Sequence, residues 1–199
     1  MLKTLVKISN ISNLSDARYC AGMGVELLGF SMDNLAIGRF TEIRNWVAGV
    51  QIVGETDAND ATIILEKIEI YKPDYLQVNN LEVLSKLSDL ALPIILKMNF
   101  ESFVSNDLLA IKNKNIAYLL LESNDEFIHL ENDVLTQLNK IAMSHNLLLG
   151  FGLTEANLHE TLDEVPLRGI ALIGGEELRP GYKEIDELMN MLELLEAED

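Results

Sequence analysis

The chain is short of several things, and each shortage narrows what it can be. It has a single cysteine, Cys20, in 199 residues, so no internal disulfide framework is open to it. That usage suits a reducing compartment, and the cytoplasm is the expected location. No apolar run approaches the ~20 residues of a membrane-spanning helix, because charges interrupt every hydrophobic stretch. The opening MLKTLVKISN lacks a long apolar core followed by a small-residue cleavage site, so no secretory signal is expected in it. Cations are scarce: 15 Lys and Arg stand against 32 Asp and Glu, a formal net charge of −17. A surplus of that sign repels the phosphate backbone of nucleic acids and anionic membrane surfaces, so neither is expected as a partner. Histidine is scarcer still. His129, His145 and His159 fall in predicted helices or at their edges and read as surface residues, so no serine–histidine pair is visible.

What the chain does have is apolar substance, 48% of its residues, enough for a folded core. Much of the negative charge gathers in the last helical stretch, at Glu184, Asp186, Glu187, Glu193, Glu196 and Glu198, and reads as a solvated face. A small anionic ligand remains compatible with this charge if backbone amides and cations such as Lys7, Arg39 and Lys97 serve it locally.

Short Val-, Ile- and Leu-rich runs at 5–9, 27–31, 51–54, 75–79, 94–98, 117–122, 147–151 and 169–173 read as strands buried on both faces. Helical patterns lie between them. The stretch 60–71 places Ile64, Leu65 and Ile68 on one side, 132–144 does so with Leu135, Leu138 and Ile141, and the last helix repeats Ile185, Leu188, Leu192 and Leu195. Thr41 and Thr154 are plausible N-caps, and Asn13 with Asp16 marks the start of the first helix. The fifth helix, 103–112, is short and poorly patterned. No linker or change of composition interrupts residues 1–199, which read as a single domain.

Eight strands in strict alternation with eight helices suit either a doubly wound sheet or a (β/α)8 barrel. The dinucleotide-binding doubly wound folds commonly carry a Gly-rich fingerprint after the first strand, and none stands here, which favours a single (β/α)8 TIM barrel. Chemistry then belongs where strands end and βα loops begin, and alternation along each strand chooses the inward side chains. Lys7 and Ser9 share a face of the first strand, Gln77 and Asn79 of the fourth, Leu120 and Glu122 of the sixth. Cys20 lies inside the first helix, where a small buried thiol is the ordinary role.

The residues at these positions resemble the phosphoribosylanthranilate isomerases of tryptophan biosynthesis. VKISNISNLSDARYCAGMGVELLGF is similar to the family's first strand, loop, helix and second strand, with Lys7-Ile8-Ser9-Asn10-Ile11-Ser12 where the family reads Lys-Ile-Cys-Gly-(Ile/Leu)-Thr. YLQVNN at 75–80 is similar to Val-Gln-Leu-His-Gly, and LLLESND at 119–125 to the strand carrying Leu-Asp-Ser. LLLGFGLTEAN at 147–157 resembles Leu-Ala-Gly-Gly-Leu-x-x-x-Asn, and IGGEELRPGYKEID at 173–186 resembles the closing Pro-Gly segment. The likeness runs over nearly the whole chain in the right order.

The resemblance implies an Amadori rearrangement of N-(5-phosphoribosyl)anthranilate without cofactor or metal, in a protein that is a monomer or homodimer. It implies a general base at Ser9 and a general acid at Glu122, where the family has cysteine and aspartate. Lys7, Arg39, Gln77 and Asn79 become substrate contacts, Arg39 matching the arginine that receives the anthranilate carboxylate. Gly152, Gly174 and Gly175 fall in the loops after strands seven and eight, where such barrels hold phosphate on backbone amides. Lys7 is alternatively an inward lysine paired with a carboxylate, Glu122 being the candidate partner.

The departures cluster at the site. A serine hydroxyl is a far weaker acid than a thiol and needs an adjacent base to be activated. Asn79 replaces a histidine, Asn10 a glycine, Phe151 the first glycine of a Gly-Gly pair, and Ala171 an aspartate common on the eighth strand. Three functions are compatible with this pattern: the isomerase itself, a barrel that binds a phosphorylated small molecule without this activity, and an isomerase for another sugar phosphate.

Overall fold

Eight short apolar runs pair side by side and close on themselves. The computed structural model describes residues 1–106, 115–125, 128–174, 177–179, 182–183 and 186–197. The strands are β1 (Leu5–Ser9), β2 (Leu27–Ser31), β3 (Gln51–Glu55), β4 (Tyr75–Val78), β5 (Ile94–Asn99), β6 (Ile116–Glu122), β7 (Leu147–Leu149) and β8 (Gly169–Ile173). Each pairs in parallel with the next, and β8 returns to β1, so the sheet is the expected closed barrel.

The helices between and after them are α1 (Leu14–Gly22), α2 (Ile37–Arg44), α3 (Ala61–Tyr71), α4 (Leu81–Lys86), α5 (Phe100–Ser105), α6 (Asn132–Ala142), α7 (Leu158–Glu164) and α8 (Asp186–Leu194). Between β8 and α8 stands an antiparallel pair, β9 (Glu177–Arg179) and β10 (Tyr182–Lys183), that the alternating pattern does not foretell.

Strand alternation divides the core in two. Inside the barrel, Leu5, Leu27, Val53, Ile95, Leu120 and Leu148 pack with Ala171, and Tyr75 and Tyr118 lie against them. Outside, residues such as Ile8, Leu28, Ile94 and Leu121 form a second cluster with the helices. One inward position further towards the C-terminal end, five of the strands turn polar, at Lys7, Glu55, Gln77, Lys97 and Glu122. The apolar layer therefore floors a polar mouth.

Several βα loops end in a side chain that caps the next helix. Asn13 accepts from the Asp16 N–H at 2.9 Å and donates its amide to the Asp16 carboxylate at 2.7 Å. Asp60 accepts from the N–H groups of Thr62 and Ile63, Asn80 from that of Glu82, and Asn99 from that of Ser102. These satisfy orphan donors of the first turn.

The two threonines expected as caps do other work. Thr41 lies inside α2, its hydroxyl donating back to the Ile37 carbonyl, because buried Phe40 draws the helix start upstream to Ile37. Thr154 pairs with Asn157 in the turn that precedes α7. The fifth helix begins earlier than its pattern indicates, at Phe100, with Phe100 and Phe103 buried; residues 107–112 of the expected span lie outside the described residues.

Candidate functional site

At the C-terminal end of β1, Lys7 is wholly buried, and its ammonium donates at 2.5 Å both to Ser9 Oγ and to Glu55 Oε1 on β3. The carboxylate that Lys7 finds is thus Glu55, not Glu122 as expected. The reason is geometric: Glu55 reaches towards Lys7 across β2, where Gly29 has no side chain. A Cβ at Gly29 would stand 2.2 Å from Glu55 Oε1. The other carboxylate oxygen accepts from the Asn10 N–H at 3.3 Å. Asn10 turns that amide towards Glu55 from a left-handed backbone, φ +61°, a conformation that asparagine tolerates better than most side chains. The asparagine in place of the family's glycine is explained by this turn.

Glu122 ends β6 three strands further round. Its ion pair is with Lys97 of β5, at 3.5 Å, and both side chains keep about 30% exposure. Between the two carboxylates lies Gln77, buried, with its Oε1 lacking a hydrogen-bond partner among the described residues. An orphaned buried acceptor costs roughly 1–3 kcal/mol, which a donor from a ligand relieves.

A cavity of about 280 Å³ brings these groups together. Ser9, Glu55, Gln77, Asn79, Lys97 and Glu122 all line it, and Asp33 and Asp57 stand on its β2–β3 side. That wall is internally bonded. Asp33 accepts from Thr56 Oγ1 at 2.7 Å, from the Asp57 N–H at 2.8 Å and from Lys67 Nζ, while Asn79 donates to Asp57 at 2.8 Å. Burial works to raise the Asp33 pKa, but the donors Lys67, Asp57 and Thr56 outweigh it and hold the carboxyl below its usual range. A larger hollow of about 530 Å³ opens between α6 and α7, off the barrel axis, and Glu131, Asp133, Glu160 and Glu164 line it. It offers an anion no welcome.

Other expected contacts stand elsewhere. Arg39 is exposed on α2, paired with Glu42 at 2.9 Å, and does not line the cavity. The Gly174 N–H is taken by the Ser9 carbonyl at 3.0 Å. Gly152 has φ +67°, its carbonyl accepts from Asn157 Nδ2, and a Cβ there would meet Leu130 at 2.9 Å. Gly175 lies outside the described residues. Phe151 is buried with its ring 5.0 Å from that of Phe100, so it closes the space between the β5 and β7 loops.

Cys20 is buried in α1, His129 and His159 are exposed, and His145 sits edge-on to Phe103. Among the described residues no three His, Cys, Asp or Glu side chains gather as a metal site, and no helix is long and apolar enough to cross a membrane.

Sequence reasoning missed Glu55, Asp33 and Asp57. For Glu55 a signal existed: alternation from Gln51 and Val53 puts it on the inward face, one residue past the expected strand end.

The fold and lining together define a (β/α)8 barrel whose mouth is lined by carboxylates, amides and a lysine. Its backbone is that of the phosphoribosylanthranilate isomerases. An enzyme of this name, solved with reduced 1-(o-carboxyphenylamino)-1-deoxyribulose 5-phosphate, superposes with a TM-score of 0.74 at 20% identity, over 96% of this chain and 98% of that one. The enzymes from Thermus thermophilus, at 20% identity, and Pyrococcus furiosus, at 17%, both superpose with a TM-score of 0.73 over the same shares. No protein-family model matches the chain, and no curated protein matches it in sequence.

Proposed function

We propose that the protein is an aldose–ketose isomerase that carries out the Amadori rearrangement of N-(5-phosphoribosyl)anthranilate. The observation that carries this is the pair of carboxylates, Glu55 and Glu122, that line one cavity in this barrel, each held by a lysine. The rearrangement moves protons only: one group must protonate the furanose ring oxygen and another must take the C2 proton. Glu122, open to the cavity, is the acid. Gln77 Oε1, unpartnered, accepts from a sugar hydroxyl, and Asn79 flanks it. The phosphate lies towards the loops after β7 and β8, beside Gly152. Gly174 contributes there through its place beside β1, since its amide is already engaged. The setting implied is tryptophan biosynthesis.

A second reading, an isomerase for a different sugar phosphate, is favoured by one observation. Arg39, the expected receiver of the anthranilate carboxylate, is engaged by Glu42 away from the cavity, while the carboxylates of Asp33 and Asp57 line it.

Purified protein is assayed on freshly made phosphoribosylanthranilate by loss of anthranilate fluorescence, with Glu122→Gln beside it. Turnover is expected to fall about 10²–10⁴-fold in the variant, the usual contribution of a general acid. Folded wild-type protein without turnover sinks the reading. Other phosphorylated aldoses are then tried, and binding of one without turnover leaves a ligand-binding barrel.

A further inference from the structure

Two groups at the mouth of β1 compete for the role of proton acceptor, and their hydrogen bonds decide between them. Ser9 Oγ accepts from the Lys7 ammonium at 2.5 Å. An ammonium has three donors and no acceptor, so it cannot relieve Ser9 of a proton. The serine's own hydrogen is therefore directed to another partner, which makes Ser9 a donor. Glu55 differs in kind. One oxygen is anchored by Lys7, the other accepts the 3.3 Å bond from the Asn10 N–H, and the side chain, 13% exposed, opens on the cavity. A carboxylate offers about four lone-pair sites, so the second oxygen keeps the capacity to accept a proton.

We infer that Glu55, rather than Ser9, is the general base that takes the C2 proton, with Lys7 holding its carboxylate in place and Ser9 donating its hydroxyl to the substrate. On the isomerase reading, on which this rests, the electrons balance without a co-reactant. Glu122 gives a proton to the ring oxygen, the C1–O bond breaks with its pair going to that oxygen, and the nitrogen lone pair forms the C1=N iminium. Glu55 then removes the C2 proton; the C–H pair forms C1=C2, and the iminium π pair returns to nitrogen. The enol at C2 becomes the ketone as Glu55 returns a proton to C1 and the hydroxyl proton leaves to solvent, which reprotonates Glu122. One aldose-derived amine has become one aminoketose.

The test compares Glu55→Gln and Ser9→Ala, with turnover of phosphoribosylanthranilate and calorimetric binding of reduced 1-(o-carboxyphenylamino)-1-deoxyribulose 5-phosphate as separate readouts. Glu55→Gln is expected to lose about 10²–10⁴-fold in kcat, with binding of the analogue kept within about tenfold. Ser9→Ala is expected to lose about tenfold, the worth of one hydrogen bond. Because Lys7 is buried, Glu55→Asp is made as well: it keeps the charge beside Lys7 but draws the carboxylate back, and about 10²-fold in kcat should go with it. A Glu55→Gln or Glu55→Asp enzyme with wild-type kcat overturns the assignment, as does a Ser9→Ala enzyme as impaired as Glu55→Gln is expected to be. Wild-type protein that binds the analogue without turnover removes the isomerase reading and this assignment together; wild-type turnover with an active Glu55 variant removes this assignment alone.

Discussion

The carboxylate of Glu55 occupies the space where a side chain on Gly29 would be, so the two residues are required together. Gly29→Ala places a Cβ 2.2 Å from Glu55 Oε1, and the carboxylate must swing off Lys7. The substitution should lower stability by about 1–5 kcal/mol, from the cost of overpacking a filled core to that of a buried charge left unpaired, and on the proposed isomerase reading it should lower turnover as well. Chemical denaturation and initial rates measure the two effects; an unchanged denaturation midpoint would show that the pair relocates freely. Lys7 explains the cost. It is fully buried, and a buried charge stripped of its partner destabilises by about 3–5 kcal/mol. Register adds a further point. Ala171 on β8 stands directly beside Lys7 on β1, and this is where the resemblance leads one to expect an aspartate. The negative charge near Lys7 is supplied instead from β3.

At the scale of the element, the loop after β2, the end of β3 and helix α3 are joined through one side chain. Asp33 gathers Thr56, the Asp57 amide and Lys67, and so fixes the cavity wall on which Asp57 and Asn79 also meet. Its folded pKa is depressed, so its contribution to stability is complete above the unfolded value of about 3.9 and is lost as the pH falls through the lower folded value. Asp33→Asn should therefore be less stable than the wild type at neutral pH, by about 1–2 kcal/mol for the lost charged hydrogen bonds. The gap should close on acidification below about pH 4. Thermal melts from neutral to acid pH read this directly, and a gap that widens in acid contradicts the assigned direction.

Over the whole molecule, a formal charge of −17 opposes compactness by self-repulsion. Screening lengths shrink from about 30 Å at 0.01 M salt to about 8 Å at 0.15 M, so the melting temperature should rise over that range. A fall would mean that ion pairs such as Lys67–Asp33 outweigh the repulsion. The same surplus fixes where an anionic ligand can approach. The hollow between α6 and α7 is acid-lined, whereas the barrel mouth holds Lys97 and the buried Lys7.

The barrel itself was legible in one dimension, because strand burial is a local matter of apolar runs and helix starts are a local matter of caps. Strand positions from Leu5 to Ile173 follow from the Val-, Ile- and Leu-rich runs, and Ser9, Gln77 and Glu122 follow from alternation on those strands. The Asn13–Asp16 start of α1 was readable for the same reason. Who pairs with whom was not. Lys7 and Glu55 are 48 residues apart, and their meeting depends on strand order, on register and on the gap above Gly29, none of which a linear pattern contains. Arg39 makes the same point in reverse: the family resemblance implies a substrate contact there, but α2 turns it to Glu42 three residues on. Periodicity along the chain decides which side of an element a residue faces. Long-range closure of the barrel decides which charge it then meets, and at this site it brings the Lys7 ammonium to Glu55 of β3.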